Sequence, residues 1–334
     1  MKLSSFRHLL RWEVMLIGLV IVLAIAANAV TPLFLTAPNI SDALSNLSEK
    51  ALMLLPLVPL IIAREIDLSV ASIAGLASVS LGAMFEAKVP LAVAIVVVVV
   101  IGALCGLLNG VLVSVLGLPS LVVTLGTLGL YRGLCYVVLS GKSVAGFPAW
   151  FTNFGFGYIP GTLIPQPLVI VVVAAVIFGV WLHLTTGGRE VYAIGNGSGA
   201  ARFSGLPVRS LLVRLYVVSG TFSAIAGVIY SARFASARAD SALGFELDVI
   251  AAALLGGVSM AGGVGSIFGG LLGLTVLGVV RNAMSLANIS SEVQSVVVGA
   301  LLILAVLLTT LLSDSSRLKR APSRAVRKEV AADA

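Results

Sequence analysis

"GREVYAIGNGSGAARFSGLPVRS" runs from Gly188 to Ser210, a polar, glycine-rich stretch in an otherwise apolar chain. Its reading decides the fold. If its glycines cradled a phosphate, they would need a strand before them and a helix after them, in a soluble βαβ unit. The rhythm of Gly195, Gly197 and Gly199 has no such unit around it. Apolar runs flank it instead, Pro167–Leu184 before and Leu211–Ala232 after. Each is near the ~20 residues a helix needs to cross the hydrocarbon of a bilayer. The stretch therefore reads as a loop joining two membrane spans, with a short alanine-centred segment inside it.

The composition carries the same reading outward. The 334 residues are 59% hydrophobic and 10% charged, with a mean hydropathy of +1.13. A soluble domain carries about 25% charged residues. One soluble core could not absorb this much apolar sequence and leave a wettable surface. The expected fold is an all-α polytopic membrane protein of about ten transmembrane helices. The further apolar segments are Trp12–Val30, Ala51–Ala63, Leu68–Phe85, Leu91–Val115, Leu121–Leu139, Leu247–Met260, Ile267–Met284 and Val293–Leu312. Ala51–Ala63 is short and holds Pro56 and Pro59, and Leu247–Met260 is short and rich in glycine towards its end. Both are expected to be broken or partial helices, which lipid permits only where protein or a cavity covers the freed backbone groups. The run Val14–Val30 is long for a signal peptide and reads as a retained first span.

The formal charge of +7 is unevenly spread. Lys2, Arg7 and Arg11 open the chain, and Arg317, Lys319, Arg320, Arg324, Arg327 and Lys328 close it. With the N-terminus inside and ten alternating spans, Arg64, Arg189, Arg202, Arg209 and Arg214 join both termini on one side. Lys50, Lys88, Lys142, Arg233, Arg238 and Arg281 fall on the other. That excess makes both termini and the Gly188–Ser210 stretch cytoplasmic, and leaves Ser140–Gln166 as an outer loop. The expected organisation is a cytoplasmic segment at 1–11, a transmembrane domain at 12–312 with a cytoplasmic loop at 185–210, and a basic tail at 313–334 next to anionic lipid. No zinc-finger spacing or RNP-like box accompanies the charge, which argues against nucleic acid.

Catalytic and metal chemistry find no foothold in the sequence. No nucleophile–base pair or metal-ligand cluster stands out. Cys105 and Cys135 read as small buried hydrophobes, and His8 and His183 as interfacial side chains. "SGKSV" at Ser140–Val144 has the ending of a P-loop, but Tyr136 stands where its first glycine belongs. The chain is expected to be no enzyme and to hold no ATP of its own. Two stretches echo each other: "EIDLSVASIAGLASVSLGA" from Glu65 and "ELDVIAAALLGGVSMAGGV" from Glu246. Alternating spans put the first acid pair inside and the second outside, the pattern of an inverted-topology repeat. Two independent helix starts, each with acids near its positive end, would look the same. Polar residues inside the spans are few: Asn109, Ser114, Thr124, Thr127, Arg132, Ser219, Thr221, Ser223 and Asn282. Such a lining suits an uncharged polyol, and would serve equally as hydrogen bonds between helices.

Four stretches in order, "EIDLSVASIAGL", "LLNGVLVSVLGLPSLVVTLGTLGLYRGL", "GREVYAIGNGSGAARFSGLPV" and "FELDVIAAALLGGVSMAGGVGSIFGG", resemble the membrane permease of ribose-type ABC sugar importers. The resemblance spans about Leu44 to Leu312. It implies a bundle of about ten helices per subunit, working as a dimer in the bacterial plasma (inner) membrane. Two cytoplasmic ABC ATPases, which bind the ATP and magnesium, would drive it by alternating access, and a periplasmic or extracellular sugar-binding protein would feed it. No cofactor belongs to this chain. The family's coupling pattern is Glu-Ala-Ala, three residues, Gly. It falls on Gly199, Ala200, Ala201 and Gly205, with Arg202 as a support. Candidate pathway residues are Asp67, Ser69, Asn109, Thr124 and Thr127.

Two departures from the family stand out. Gly199 replaces the acid of the coupling pattern, which removes a charged contact and weakens a helix there by about 1 kcal/mol relative to alanine. A non-identical paralogue that keeps the acid is therefore the expected second permease, with a homodimer as the alternative. Ala63 and Arg64 stand where the family usually has two glycines, which puts backbone flexibility there in doubt. The whole chain is most similar to permeases for rhamnose or autoinducer 2, so the expected substrate is a rhamnose-like deoxyhexose or related polyol. The alternatives are an ABC permease for branched-chain amino acids or nucleosides, and an ion-coupled secondary transporter.

Overall fold

The computed structural model describes residues 3–318. They form thirteen helices and one two-stranded ribbon: α1 (Leu3–Val30), α2 (Ala37–Ile62), α3 (Val70–Glu86), α4 (Leu91–Ser114), α5 (Ser120–Leu139), β1 (Val144–Ala145), α6 (Ala149–Phe156), α7 (Gln166–Leu184), α8 (Thr186–Asn196), α9 (Ser198–Phe203), α10 (Val208–Phe234), β2 (Ser236–Ala237), α11 (Phe245–Leu255), α12 (Ile267–Leu286) and α13 (Ser291–Leu318). Prolines start many of them. Pro90, Pro119, Pro148, Pro165 and Pro207 sit at the N-caps of α4, α5, α6, α7 and α10. A proline's missing N–H costs nothing at a helix start, where that donor would be unpaired anyway.

The chain is a multi-pass membrane protein. Seven helices are long and apolar enough to cross a membrane, namely α1 from Trp12, α2, α4, α5, α7, α10 and α12, and α3 and the Ser291–Leu304 part of α13 are shorter apolar helices. Val22, Val96, Val122, Val137 and Ile177 are among many exposed large hydrophobics, as expected of a lipid-facing surface. The helix α11 has eleven residues, about 16 Å at 1.5 Å per residue, so it reaches only half-way across a hydrocarbon layer of about 30 Å. It is the partial helix expected at Leu247–Met260. The segment expected as a cytoplasmic start at 1–11 is helical from Leu3, and α13 continues past 312 to Leu318. The tail's Lys319, Arg320, Arg324, Arg327 and Lys328, and Lys2, lie outside the described residues.

The expectation of a broken helix at Ala51–Ala63 is corrected. That stretch is the second half of the continuous helix α2, which runs unbroken through Pro56 and Pro59. From Ala51 onward it is buried on all sides, so neighbouring helices cover the carbonyls the prolines leave unpaired. Its first half escaped the apolar pattern because it is polar for cause. Asn39 bonds Asn282, Ser41 bonds the Leu163 carbonyl, Glu49 pairs with Arg233 and Lys50 with Asp248.

Small residues set the closest packing. On α4, Gly102, Gly106 and Gly110 face Gly220, Tyr216 and Val213 of α10. A side chain at Gly106 would meet the Tyr216 carbonyl oxygen, so the two backbones touch, as small residues permit in lipid. The bundle has two distinct ends. At one, Trp12 bonds the Leu255 carbonyl, Glu13 accepts from Ser266, and α8 meets the end of α2. At the other, β1 pairs antiparallel with β2, with Val144 opposite Ala237, and the start of α2 meets α12 and the loop after α6.

Candidate coupling and transport site

The polar stretch at 185–210 is two short helices, α8 and α9, between the long helices α7 and α10. Thr185 makes the first corner: its hydroxyl donates to the Trp181 carbonyl at 2.6 Å and accepts from the Gly188 N–H. Gly205, at φ +80°, makes the last, a left-handed turn that only glycine takes without strain. The alanine-centred segment is α9. Ala201 is buried and its carbonyl accepts from the Leu206 N–H at 3.1 Å. Gly199, Ala200, Arg202 and Gly205 are exposed. So is Phe203, at 97%, an aromatic side chain that the sequence reading passed over. An apolar ring held out among polar groups was the available signal. Arg189, Arg202, Arg209 and Arg214 are exposed on the same end, and none is ion-paired among the described residues. Arg202 and Arg209 flank a groove of about 450 Å³ over Leu206, Pro207 and Val208.

The opposite face of α8 is seated in the bundle. Val191, Ile194 and Gly195 are buried. Gly195 lies directly against the Ile62 carbonyl oxygen and the Gly263 N–H, too close for any side chain. Gly263 itself donates to that carbonyl at 2.8 Å. Tyr192 donates its hydroxyl to the Gly265 carbonyl at 2.7 Å, and burial pushes its phenol above the ordinary value, so it remains a donor. The seat thus joins α8 to both interruptions of the bundle: the break between α2 and α3 at 63–69, and the turn between α11 and α12 at 256–266. Arg64 lies in this seam at φ +70°. Left-handed backbone favours glycine, and an arginine bears about 1–2 kcal/mol of strain for it.

The α2–α3 break encloses a polar knot. Asp67 is wholly buried. Its Oδ1 accepts from the Ser69 N–H at 2.9 Å and the Ser69 hydroxyl at 2.6 Å, and its Oδ2 from the Ser219 hydroxyl at 2.9 Å. Asn109 on α4 donates to Ser69 Oγ at 2.8 Å. The Thr124 hydroxyl lies 3.2 Å from the Ile66 carbonyl and 2.8 Å from that of Ser120, and Tyr216 donates to Ile66 as well. Four of the five pathway candidates, Asp67, Ser69, Asn109 and Thr124, therefore meet. Thr127 stays apart, its hydroxyl turned back to the Thr124 carbonyl of its own helix. Ser219 and Tyr216 complete the knot.

The second acid-led segment has other partners. Asp248, in the first turn of α11, takes Lys50 of α2 at 2.6 Å and Arg281 of α12 at 2.5 Å. Beside it, Glu49 holds the Arg233 guanidinium at 2.6 Å.

A family model described as branched-chain amino acid transport system / permease component matches residues 39–306. The autoinducer 2 import system permease protein LsrD of Escherichia coli (strain K12) is 35% identical over 302 residues, which cover 88% of this chain and 91% of that one. The protein of the same name from Shigella flexneri gives the same figures, and that of Escherichia coli O157:H7 is 34% identical over the same length and coverage. No solved structure matches the chain.

Proposed function

The chain belongs to the family of branched-chain amino acid transport system permease components, and from that premise we propose that it is the membrane subunit of an importer powered by a separate ABC ATPase. A permease of this kind moves its substrate without covalent chemistry and is not an enzyme. The observation that carries the proposal is the two-sided build of α8–α9. The outer side offers exposed Phe203, Arg202 and Arg209, and neither arginine is ion-paired among the described residues. The inner side packs Gly195 against Ile62 and Gly263 and bonds Tyr192 to Gly265, and so meets both interruptions of the bundle.

The proposed mechanism follows from that build. The ATPase seats α9 in a cleft, with the small residues Gly199, Ala200 and Ala201 allowing close approach and Phe203 filling an apolar pocket. Arg189, Arg202 and Arg209 face acids on the ATPase. When ATP closes the ATPase pair, α8 moves with it. The Ile62 carbonyl passes that motion to the α2–α3 break, and Gly263 and Gly265 pass it to the α11–α12 turn. The knot around Asp67 is closed to solvent in this conformation, and it opens only if α3, α4 and α10 part. In this reading Asp67, Ser69, Asn109 and Thr124 brace the inner gate, and Thr127 stands outside it. The 185–210 segment is cytoplasmic, and a binding protein delivers substrate to the opposite face.

We further propose a small polyhydroxy substrate of the rhamnose or autoinducer 2 kind, because the relatives are named for autoinducer 2 import and most of the buried polar side chains described are hydroxyls or amides rather than charged groups. The family's description names branched-chain amino acids, so leucine is the competitor to test. Gly199 in place of the coupling acid supports pairing with a non-identical permease that keeps it. The test is gentle purification from native membranes, then ATP-driven uptake in vesicles. The expected result is a co-purifying ABC ATPase, lost in Ala201→Glu, and uptake that stops without ATP. Uptake that follows an ion gradient, with no ATPase bound, would overturn the proposal.

A further inference from the structure

The end of the bundle opposite α8–α9 carries a polar concavity that the mechanism above leaves unused. Its volume is about 340 Å³, and it lies among Asp42, Ser45 and Asn46 of α2, Tyr158 beyond α6, and Arg233 and Phe234 at the end of α10. That is the lower end of the range for small-molecule sites, about 300–1,000 Å³. The α2 residues are spaced to share one helix face.

The hydrogen bonds orient the wall. Arg233 is held from two sides: Nε donates to Glu49 Oε1 at 2.6 Å and Nη1 to Asn46 Oδ1 at 2.5 Å. With its oxygen taken, Asn46 is left with two N–H donors, and no bond from its Nδ2 exists among the described residues. Asp42 Oδ1 accepts from the Tyr158 hydroxyl at 3.3 Å, which leaves Oδ2 as an acceptor. The Arg233 guanidinium lies 4.4 Å from the centre of the Phe234 ring, whose other neighbour is Tyr230 at 4.4 Å between centroids. Behind the wall, wholly buried Glu49 keeps Oε2 without a partner. The surface thus combines a carboxylate acceptor, an amide donor, a phenol and an aromatic ring.

Charge narrows the ligand. Glu49 neutralises Arg233, and Asp42 would repel an anion. Lone acceptor and lone donor side by side suit hydroxyl groups, which both give and take a hydrogen bond. The exposed edge of Phe234 suits an apolar C–H face. We propose that this concavity is an outer subsite for a small polyhydroxy compound, which holds the substrate before it enters the bundle. The proposal rests on the importer reading, which makes this end the outer one.

The test uses the full chain in lipid nanodiscs and saturation-transfer NMR, with L-rhamnose, autoinducer 2, D-ribose and L-leucine as probes. One polyol should show transfer that falls about 5-fold or more in Asp42→Asn, a small change at an exposed position. It should vanish in Ser45→Trp, which fills the concavity, and leucine should show none. Undiminished transfer in Ser45→Trp, no transfer from any polyol, or transfer from leucine alone would each overturn the subsite. So would lost uptake in Ser45→Trp with polyol transfer intact, which would mark this face as a protein-docking surface. Stimulation of the ATPase by the binding protein is measured in parallel. If that stands while NMR transfer fails, the subsite is wrong and the importer reading holds. If it is absent, the importer reading falls with its own test.

Discussion

The chain opens two segments with nearly the same letters, "EID" at Glu65 and "ELD" at Glu246, and gives the two aspartates opposite company. Asp67 is met only by neutral donors: two hydroxyls and one backbone N–H. Asp248 is met by two cations. The difference bears on what can move. A hydrogen bond from a neutral donor to a carboxylate contributes about 1.5–3 kcal/mol net. Pulling one partner from a buried ion pair costs about 3–5 kcal/mol. The end beneath α8 is therefore fastened by bonds that separate at a lower cost than those of the opposite end. In the proposed mechanism, a gate that follows α8 and α9 belongs at the first end, with the second as its fixed frame.

The largest expected effect breaks the frame. Asp248→Ala leaves the partly buried Lys50 and Arg281 without their shared acid, and should cost about 3 kcal/mol, the lower end of the range for a buried pair. Denaturant unfolding in detergent would measure it. Replacing Lys50, Asp248 and Arg281 together with apolar residues of similar size should recover most of the loss, because no charge is then stranded. If Asp248→Ala unfolds like the wild type, the two ends do not differ in the way argued.

The next effect falls on the seam. Gly195→Ala forces a methyl group against the Ile62 carbonyl, an overpacking that should cost about 1–3 kcal/mol. Its functional effect should exceed its effect on stability. ATP hydrolysis by the assembled importer should continue while uptake falls, because α8 no longer sits on the α2–α3 break. Equal losses of hydrolysis and uptake would mean that the seam has only a structural role.

These contrasts lie beyond the reach of one-dimensional reading, and the reason is visible residue by residue. A membrane helix announces itself because every lipid-facing position must be apolar, so the spans from Trp12 and Leu91 were legible, and the half-helix at Leu247 could be read from its length. The start of α2 was not, since Asn39, Asn46, Glu49 and Lys50 look like a loop until their partners on α10, α11 and α12 are known. The 185–210 stretch was legible as a polar island between spans. Its seat was not, because Gly195 meets Ile62 and Gly263, residues far away in the chain. Nor could the letters around Asp67 and Asp248 tell the two apart. Their partners, Ser219 in one case and Lys50 and Arg281 in the other, are set by packing alone.

A milder substitution sharpens the comparison at the coupling end. Asp67→Asn keeps an oxygen for the Ser69 N–H but loses the charge and one acceptor. It should cost about 1–2 kcal/mol, the difference between a charged and a neutral set of hydrogen bonds. The same change at Asp248 removes the charge from between two cations and should cost more. Unfolding of the two variants side by side checks the order, and a larger loss at Asp67 would reverse the assignment of gate and frame.

The smallest expected effect separates two threonines on one helix. The Thr124 hydroxyl lies between the Ser120 carbonyl of its own helix and the Ile66 carbonyl of the α2–α3 break, whereas that of Thr127 reaches only the Thr124 carbonyl, at 3.4 Å. Thr124→Val removes a link between α5 and the break, so about 1 kcal/mol of stability should go with it. Thr127→Val removes a long bond to a carbonyl whose helix already supplies a donor, so the change should stay within about 0.5 kcal/mol. Transport should divide the same way. If the knot is the brace of the inner gate, Thr124→Val shifts the balance between open and closed states and changes the rate of uptake, while Thr127→Val leaves it near the wild type. A Thr127→Val variant that lost uptake at full stability would instead place its hydroxyl on the substrate's route, and the gate would have to be redrawn around α5 rather than around Asp67.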